Sequence, residues 1–390
     1  MIQFLASLCV TCLLFVAVQA SPPPPYPARY PGDQSPDMAE VGDTAVQNDL
    51  PLHKNAPNYS TFGLAPADAS TADGPIVYSV TFNDPGSAYS AYYSAITSNL
   101  QAAGAEWARY VIGSGNLEVE VVMTSSVPRM TGGSVTSGFV RNDGTRDIFE
   151  QGAAYEIRTG IDPNGATPDI RITINPTYLT TNMWFDPQPS QRTDPIPPNR
   201  TDAISLFSHE LGHAFVFNGW MNGTTGALPP TYMSPFDEKV AFDGNNFFFL
   251  GPNAQAFFGG PVAVTFGNPF HLGNNPPRPG ADLIPDLMNG IVFTFQTRYR
   301  ISALDVEISK DSGVAVTQYL QILSATKAGN QFLLQGVGVP TAPHRVKATD
   351  DLAQPFGVIG SVTADGNGNF LFPAALEPGV TKRFYQVVYP

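Results

Sequence analysis

Thr201-Asp202-Ala203-Ile204-Ser205-Leu206-Phe207-Ser208-His209-Glu210-Leu211-Gly212-His213-Ala214-Phe215-Val216-Phe217 is the stretch on which the reading of the fold turns. Thr201 or Asp202 can cap a helix that runs to about Phe217, and Ile204, Phe207, Leu211, Ala214 and Phe215 form one apolar stripe along it. Residues four apart on a helix are about 400° round, so His209 and His213 stand within roughly 40° of each other on one face. Two imidazole nitrogens placed in this way can share one ion, at about 2.0–2.1 Å if it is zinc. Glu210 comes directly after His209, near enough to reach water on such an ion, take its proton and later hand it to a leaving group. Five-residue patterns also arise by chance, and two incidental histidines on a surface helix are the alternative. What raises this one is its place on a helix that follows strands.

Upstream of the helix, residues 76–82 (Ile-Val-Tyr-Ser-Val-Thr-Phe) read as a strand. Residues 87–111 carry a helical period through Tyr89, Tyr92, Tyr93, Ile96, Leu100, Ala103 and Trp107. Residues 117–123 and 169–175 alternate apolar and polar side chains, so each is expected to be a strand with one buried face. Residues 153–158 read as another short strand. Downstream, regular structure thins out over 218–289, and a second helix is expected over 302–310. Beyond 315 only strands and turns are indicated, with strand signals at 332–334, 356–359, 370–372 and 383–388. The expected fold class is α+β over 76–313, followed by a small all-β, sandwich-like module over 325–390.

The bulk composition fits that organisation. A chain of 390 residues is long enough for two domains, and 43% hydrophobic residues supply a core and exclude wholesale disorder. With 20 Lys+Arg against 33 Asp+Glu, the formal net charge of -13 repels phosphate backbones and argues against a nucleic-acid partner. Residues 2–18 are a nearly unbroken apolar run, followed by the small-residue pattern Val18-Gln19-Ala20, so residues 1–20 read as a signal peptide. No Lys or Arg precedes that run, which keeps an uncleaved anchor as the alternative. Residues 21–75, rich in Pro, Ala, Asp and Ser, read as a spacer or pro-segment. The expected mature chain is secreted and extracellular, with the periplasm or cell surface as other destinations, and has no integral membrane span. Both cysteines, Cys9 and Cys12, lie in the signal, so neither a disulfide nor a cysteine latch on the metal is expected.

A catalytic zinc site needs a third protein ligand. The remaining histidines are His53, His271 and His344. His53 falls in the leader and His344 in the β module, which leaves His271 as the histidine of the same unit as the helix. A lone histidine is more often structural than a ligand, but the helix motif shifts that weighting. Glu238 is the competing carboxylate.

On His209-Glu210-Leu211-Gly212-His213 the chain resembles the metzincins, zinc endopeptidases with a long helix-borne motif and a methionine turn beneath the metal. In most of them the motif continues to a glycine and a nearby third histidine, where this chain has Val216 and Gly219. Leishmanolysin-like members take the third histidine from far downstream, an arrangement that His271 suits. Asp286-Leu287-Met288-Asn289-Gly290 looks like the methionine turn, with Met288 as an apolar floor; read alone, Met288 would be ordinary core packing. A wider likeness to secreted bacterial metalloproteases covers roughly 76–313, through residues 207–213, 248–254, 259–262 and 301–305. The tail is similar to small β modules appended to secreted bacterial proteins, which implies no chemistry. In the resembled fold an edge strand above the helix pairs with extended peptide. The resemblance gives that role to Ile172, Thr173 and Ile174, with an ordinary interior strand as the alternative. Trp184 and Phe185 then line a rim or simply pack. Tyr299 is a candidate oxyanion stabiliser, with a surface role between Arg298 and Arg300 as the other reading.

The resemblance implies an endopeptidase acting on a protein or peptide, with one catalytic zinc on His209, His213 and His271 and with Glu210 as general base and acid. Two readings from other classes stay open. One is a catalytically inactive relative serving as a surface binding protein or adhesin; the other is a zinc hydrolase acting on a non-peptide amide. Calcium is suggested only by Asp365-Gly366-Asn367-Gly368-Asn369, where a hairpin turn is the plainer reading, so calcium is unsupported. No feature of the sequence sets an oligomeric state.

Overall fold

The computed structural model describes residues 52–53 and 76–388, apart from 193, 275–277, 317–320, 339–342, 353, 366–368, 376–379 and 381. The expected signal peptide with both cysteines, nearly all of the leader and the centre of the 365–369 turn lie outside the described residues. Short two-residue ladders aside, the first part of the chain contains β1 (Ile76–Asn83), α1 (Tyr93–Trp107), β2 (Gly115–Met123), β3 (Met130–Ser134), β4 (Ser137–Asn142), β5 (Asp147–Gln151), α2 (Gly152–Thr159), β6 (Ile170–Ile174), α3 (Pro176–Thr181) and α4 (Ala203–Phe215). The arrangement mixes sheets and helices in an α+β manner.

The main sheet has the order β1-β2-β6-β3. β1, β2 and β6 run parallel, and β3 is antiparallel at the edge. The alternation in β2 buries Leu117, Val119, Val121 and Met123 on one face. α1 turns Ile96, Leu100, Ala103 and Trp107 into the same core, at spacings of a single helical stripe. α4 is different, because every one of its residues is buried, including the polar ones. It is a central helix, enclosed on all sides. The Trp107 indole N–H donates to the Ser208 carbonyl at 2.8 Å, and the Trp107 ring meets Phe215 edge-on at 5.8 Å.

The start of α4 is fixed by charge. Asp202 caps it, its carboxylate accepting the Ser205 N–H at 3.1 Å. The same carboxylate receives Arg192 at 2.6 Å, and the other end of that guanidinium pairs with Glu106 at 2.8 Å. Arg192 also donates to the Tyr299 carbonyl, at 3.2 Å. Arg192 is buried and holds a left-handed backbone (φ 51), so these partners over-determine its position.

Two local expectations are corrected. Residues 153–158 belong to helix α2, which ends at Gly160 in a left-handed cap (φ 67), and not to a strand. A short apolar run does not distinguish the two states, and its Ala, Glu and Arg content favours the helix. The segment 218–289 holds a three-stranded antiparallel sheet of β7 (Val240–Phe242), β8 (Phe247–Phe249) and β9 (Val262–Val264), with α5 (Pro252–Phe258) beside it. Strands of three residues are too short to show a period. The final helix, α6 (Ala303–Asp311), lies where expected, closed by a Ser302–Asp305 capping box.

The C-terminal part contains β10 (Gln321–Ala328), β11 (Gln331–Val337), β12 (Pro343–Thr349), β13 (Gly357–Thr363), β14 (Asn369–Ala375) and β15 (Phe384–Val388). They form two antiparallel sheets, β10-β11-β14 and β13-β12-β15. Leu334, Val346, Ala364, Phe370, Ala374 and Val387 make a core cluster of their own. The strands β13 and β14, on either side of residues 366–368, belong to different sheets. Among the described residues, no helix is long and apolar enough to cross a membrane.

Asp202→Ala removes both the cap of α4 and one partner of the buried Arg192. We expect a loss of roughly 3 kcal/mol or more in chemical unfolding, with a smaller loss for Asp202→Asn, which can still cap the helix.

Candidate metal centre

His209 and His213 leave α4 side by side, and His271 approaches from the segment after β9. That segment is held on both flanks. Thr265 N–H donates to the His271 carbonyl at 2.8 Å, Leu272 N–H to Met288 O at 2.8 Å, and Gly290 N–H to Leu272 O at 3.0 Å. The three Nε2 atoms form a near-equilateral triangle, with separations of 3.0, 3.0 and 3.1 Å. All three side chains are fully buried.

The outer nitrogens show where the protons sit. His209 Nδ1 is 2.7 Å from the Leu287 carbonyl, and His213 Nδ1 is 2.6 Å from the Phe217 carbonyl. A carbonyl only accepts, so both Nδ1 atoms donate and the Nε2 atoms of the neutral rings present lone pairs. Burial, and then the neighbouring imidazoles, push the pKa of His209 and of His271 well below the ordinary histidine value. Lone pairs that converge at 3 Å in a dry site repel unless a cation lies between them. Nitrogen ligands about 2.0–2.1 Å from one tetrahedral ion stand roughly 3.3–3.4 Å apart, close to the observed triangle. This buried group could hold a metal ion.

Met288 and Gly212 fit each other. A Cβ at Gly212 would lie 2.5 Å from the Met288 sulfur, so that sulfur fills the space of the missing side chain between the two helix histidines. The turn that carries Met288 is tied down by Asp286. Its carboxylate accepts the Met288 N–H at 2.9 Å and the Ser302 hydroxyl at 2.7 Å, which joins the turn to the cap of α6. Phe293 stands edge-on to His209 at 5.3 Å and completes the apolar wall.

Glu210 is buried beneath the edge strand β3. A Cβ at Gly132 would lie 2.6 Å from the Glu210 Cβ and 3.2 Å from its Oε2. The strand can cross the carboxylate only because residue 132 lacks a side chain.

Seven other candidate residues are placed elsewhere. Glu238, the competing ligand, pairs with Arg141 and is not in the histidine group. Ile172, Thr173 and Ile174 lie in β6, an interior strand paired with β2 on one side and β3 on the other, and Ile172 and Ile174 are fully buried. The expected edge strand is instead β3, since alternation reports a buried face but not which neighbours a strand has. The Tyr299 hydroxyl accepts the Thr294 N–H at 3.0 Å and donates to the Val292 carbonyl at 3.4 Å, so it closes a turn of its own chain. Trp184 and Phe185 pack, the first under Arg298 at 5.6 Å and the second against Tyr92 at 6.3 Å. Sequence reasoning missed Gly132, Gly212 and the two carbonyl acceptors. The Gly132-Gly133 doublet inside a strand was the available signal, as it marks a close approach.

Replacing Gly212 with Ala should force Met288 aside. A loss of about 1–3 kcal/mol in stability and a fall in bound metal per chain are expected from melting curves and elemental analysis, with partial recovery when Met288→Ala is added.

No protein-family model matches the chain, nor does any curated protein.

Proposed function

We propose that the chain is a secreted, zinc-dependent endopeptidase of metzincin type. The observation that carries this reading is the triangle of three buried Nε2 atoms, two of them on the helix whose intervening Glu210 lies directly beneath an edge strand. Three neutral imidazoles suit zinc and other borderline metals, and suit hard ions such as magnesium poorly. Zinc bound there would polarise a carbonyl and bring the pKa of water to around 7.

The chain's own groups supply the rest. Glu210 would take the proton from water and deliver it to the departing amine nitrogen. Its neighbours His209 and His213 are locked in one tautomer by the Leu287 and Phe217 carbonyls, so their proton positions stay fixed while Glu210 cycles. Among the described residues, the outer edge of β3 has no strand partner. An extended peptide adding to that edge would bring its backbone over Glu210, with residues 130–134 as the pairing strand in place of Ile172–Ile174.

Glu210→Gln should leave metal content at one ion per chain while hydrolysis of casein falls by about 10²-fold or more. Undiminished hydrolysis would remove Glu210 from the mechanism. A wild-type chain silent against a broad quenched-peptide library, yet still holding metal, would favour a non-peptide substrate or a binding role.

A further inference from the structure

A second group of ligating side chains stands apart from the histidines. Glu156 of α2, Asp162 in the loop that follows it and Asp169 just before β6 each bring one carboxylate oxygen within 4.8 Å of the others. Glu156 and Asp169 are only 4% and 0% exposed, whereas Asp162 faces solvent.

In each carboxylate one oxygen is already committed to backbone. Glu156 Oε1 accepts the Asn116 N–H at 2.7 Å, and Asp169 Oδ2 accepts the Glu118 N–H at 2.9 Å. Asp162 Oδ1 accepts the N–H groups of Asn164 and Gly165 at 2.8 and 2.7 Å. The second oxygens of the two buried acids, Glu156 Oε2 and Asp169 Oδ1, receive no N–H or neutral hydroxyl from the described residues, and the two carboxyls lie close enough to share a proton. The nearby arginines are engaged elsewhere, Arg158 with Glu150 and Arg171 with Glu120. Burial, with the adjacent Glu156 adding to it, pushes the Asp169 carboxyl up to about 8. Something positive must stand among these oxygens, and the choice is a proton or a cation.

We propose that Glu156, Asp162 and Asp169 bind one calcium ion that pins the α2–β6 loop to the sheet. Oxygen-only donors select a hard cation. Calcium takes six to eight oxygen ligands in a flexible geometry, whereas magnesium demands a near-ideal octahedron and keeps most of its waters, so a carboxylate set drawn from a helix, a loop and a strand end suits calcium better. The fixed backbone bonds hold one oxygen of each carboxylate, which leaves the other to ligate. The exposed Asp162 supplies the way in. With Cys9 and Cys12 the only cysteines, no disulfide can brace this loop. The site also bears on the edge strand, because the Asp169 carbonyl accepts the Val135 N–H at 2.8 Å and the Ser134 hydroxyl at 3.2 Å, at the end of β3.

The test is a calcium titration of the full-length, zinc-loaded chain in calcium-free buffer, read by calorimetry and thermal melting, with magnesium alongside. One calcium should bind per chain and raise Tm by roughly 5–10 °C at about a hundred times its Kd. Asp162→Asn, an exposed change that the fold tolerates, should lose most of that rise, and Glu156→Gln should abolish it. Zinc content should stay unchanged in both. No binding at millimolar calcium would overturn the proposal, as would a full rise in the Asp162→Asn/Glu156→Gln double variant. Wild type indifferent to calcium together with Asp169→Asn more stable than wild type would show that a proton neutralises the group, and would overturn it equally.

Discussion

The structure depends on one constraint: three buried imidazole nitrogens are held about 3 Å apart around a common point. Left alone in a dry interior, such an arrangement is unfavourable, and the chain commits a good deal of framework to it. The Leu287 and Phe217 carbonyls fix which nitrogen carries each proton, so His209 and His213 cannot escape by swapping tautomers. Gly212 accepts the Met288 sulfur against the backbone of the helix, and Phe293 closes the side. Several polar groups of this enclosed helix are satisfied from within the protein. Asp202, Arg192 and Glu106 do so at its start, and Trp107 anchors its middle through the Ser208 carbonyl.

The parts around the histidines form a connected set. His271 sits on a segment bonded to the methionine turn, and that turn is bonded through Asp286 to the cap of α6. The Tyr299 backbone returns to the start of α4 through Ser205, its N–H donating to that hydroxyl at 2.8 Å. A displacement at any of these points reaches the three histidines through one or two hydrogen bonds. On the other side of α4, Glu210 meets β3 through Gly132, so the sheet edge and the carboxylate are positioned by the same contact. At the far end of that edge the Asp169 carbonyl accepts the Val135 N–H and the Ser134 hydroxyl.

Much of the site was legible in the sequence, because its chemistry is local. Spacing alone places His209 and His213 on one face, and Asp202 announces the start of the helix. His271 was reached by elimination among few histidines, and Met288 through a family resemblance. What stayed hidden depends on non-local pairing. Strand alternation in 169–175 marks a buried face, yet only the sheet order makes β6 an interior strand and puts Met130–Ser134 at the edge. That edge strand reads Met-Thr-Gly-Gly-Ser, with no alternation to betray it. The carbonyls that set the histidine tautomers leave no trace in side-chain type, and the three acids meet only after α2 folds as a helix.

The most direct test of the central claim is X-ray absorption at the zinc edge on the purified full-length chain. The account predicts one zinc per chain, bound by three imidazole nitrogens at about 2.0–2.1 Å. Zinc held by oxygen donors alone, or a folded chain that takes up no metal when zinc is supplied, would contradict it.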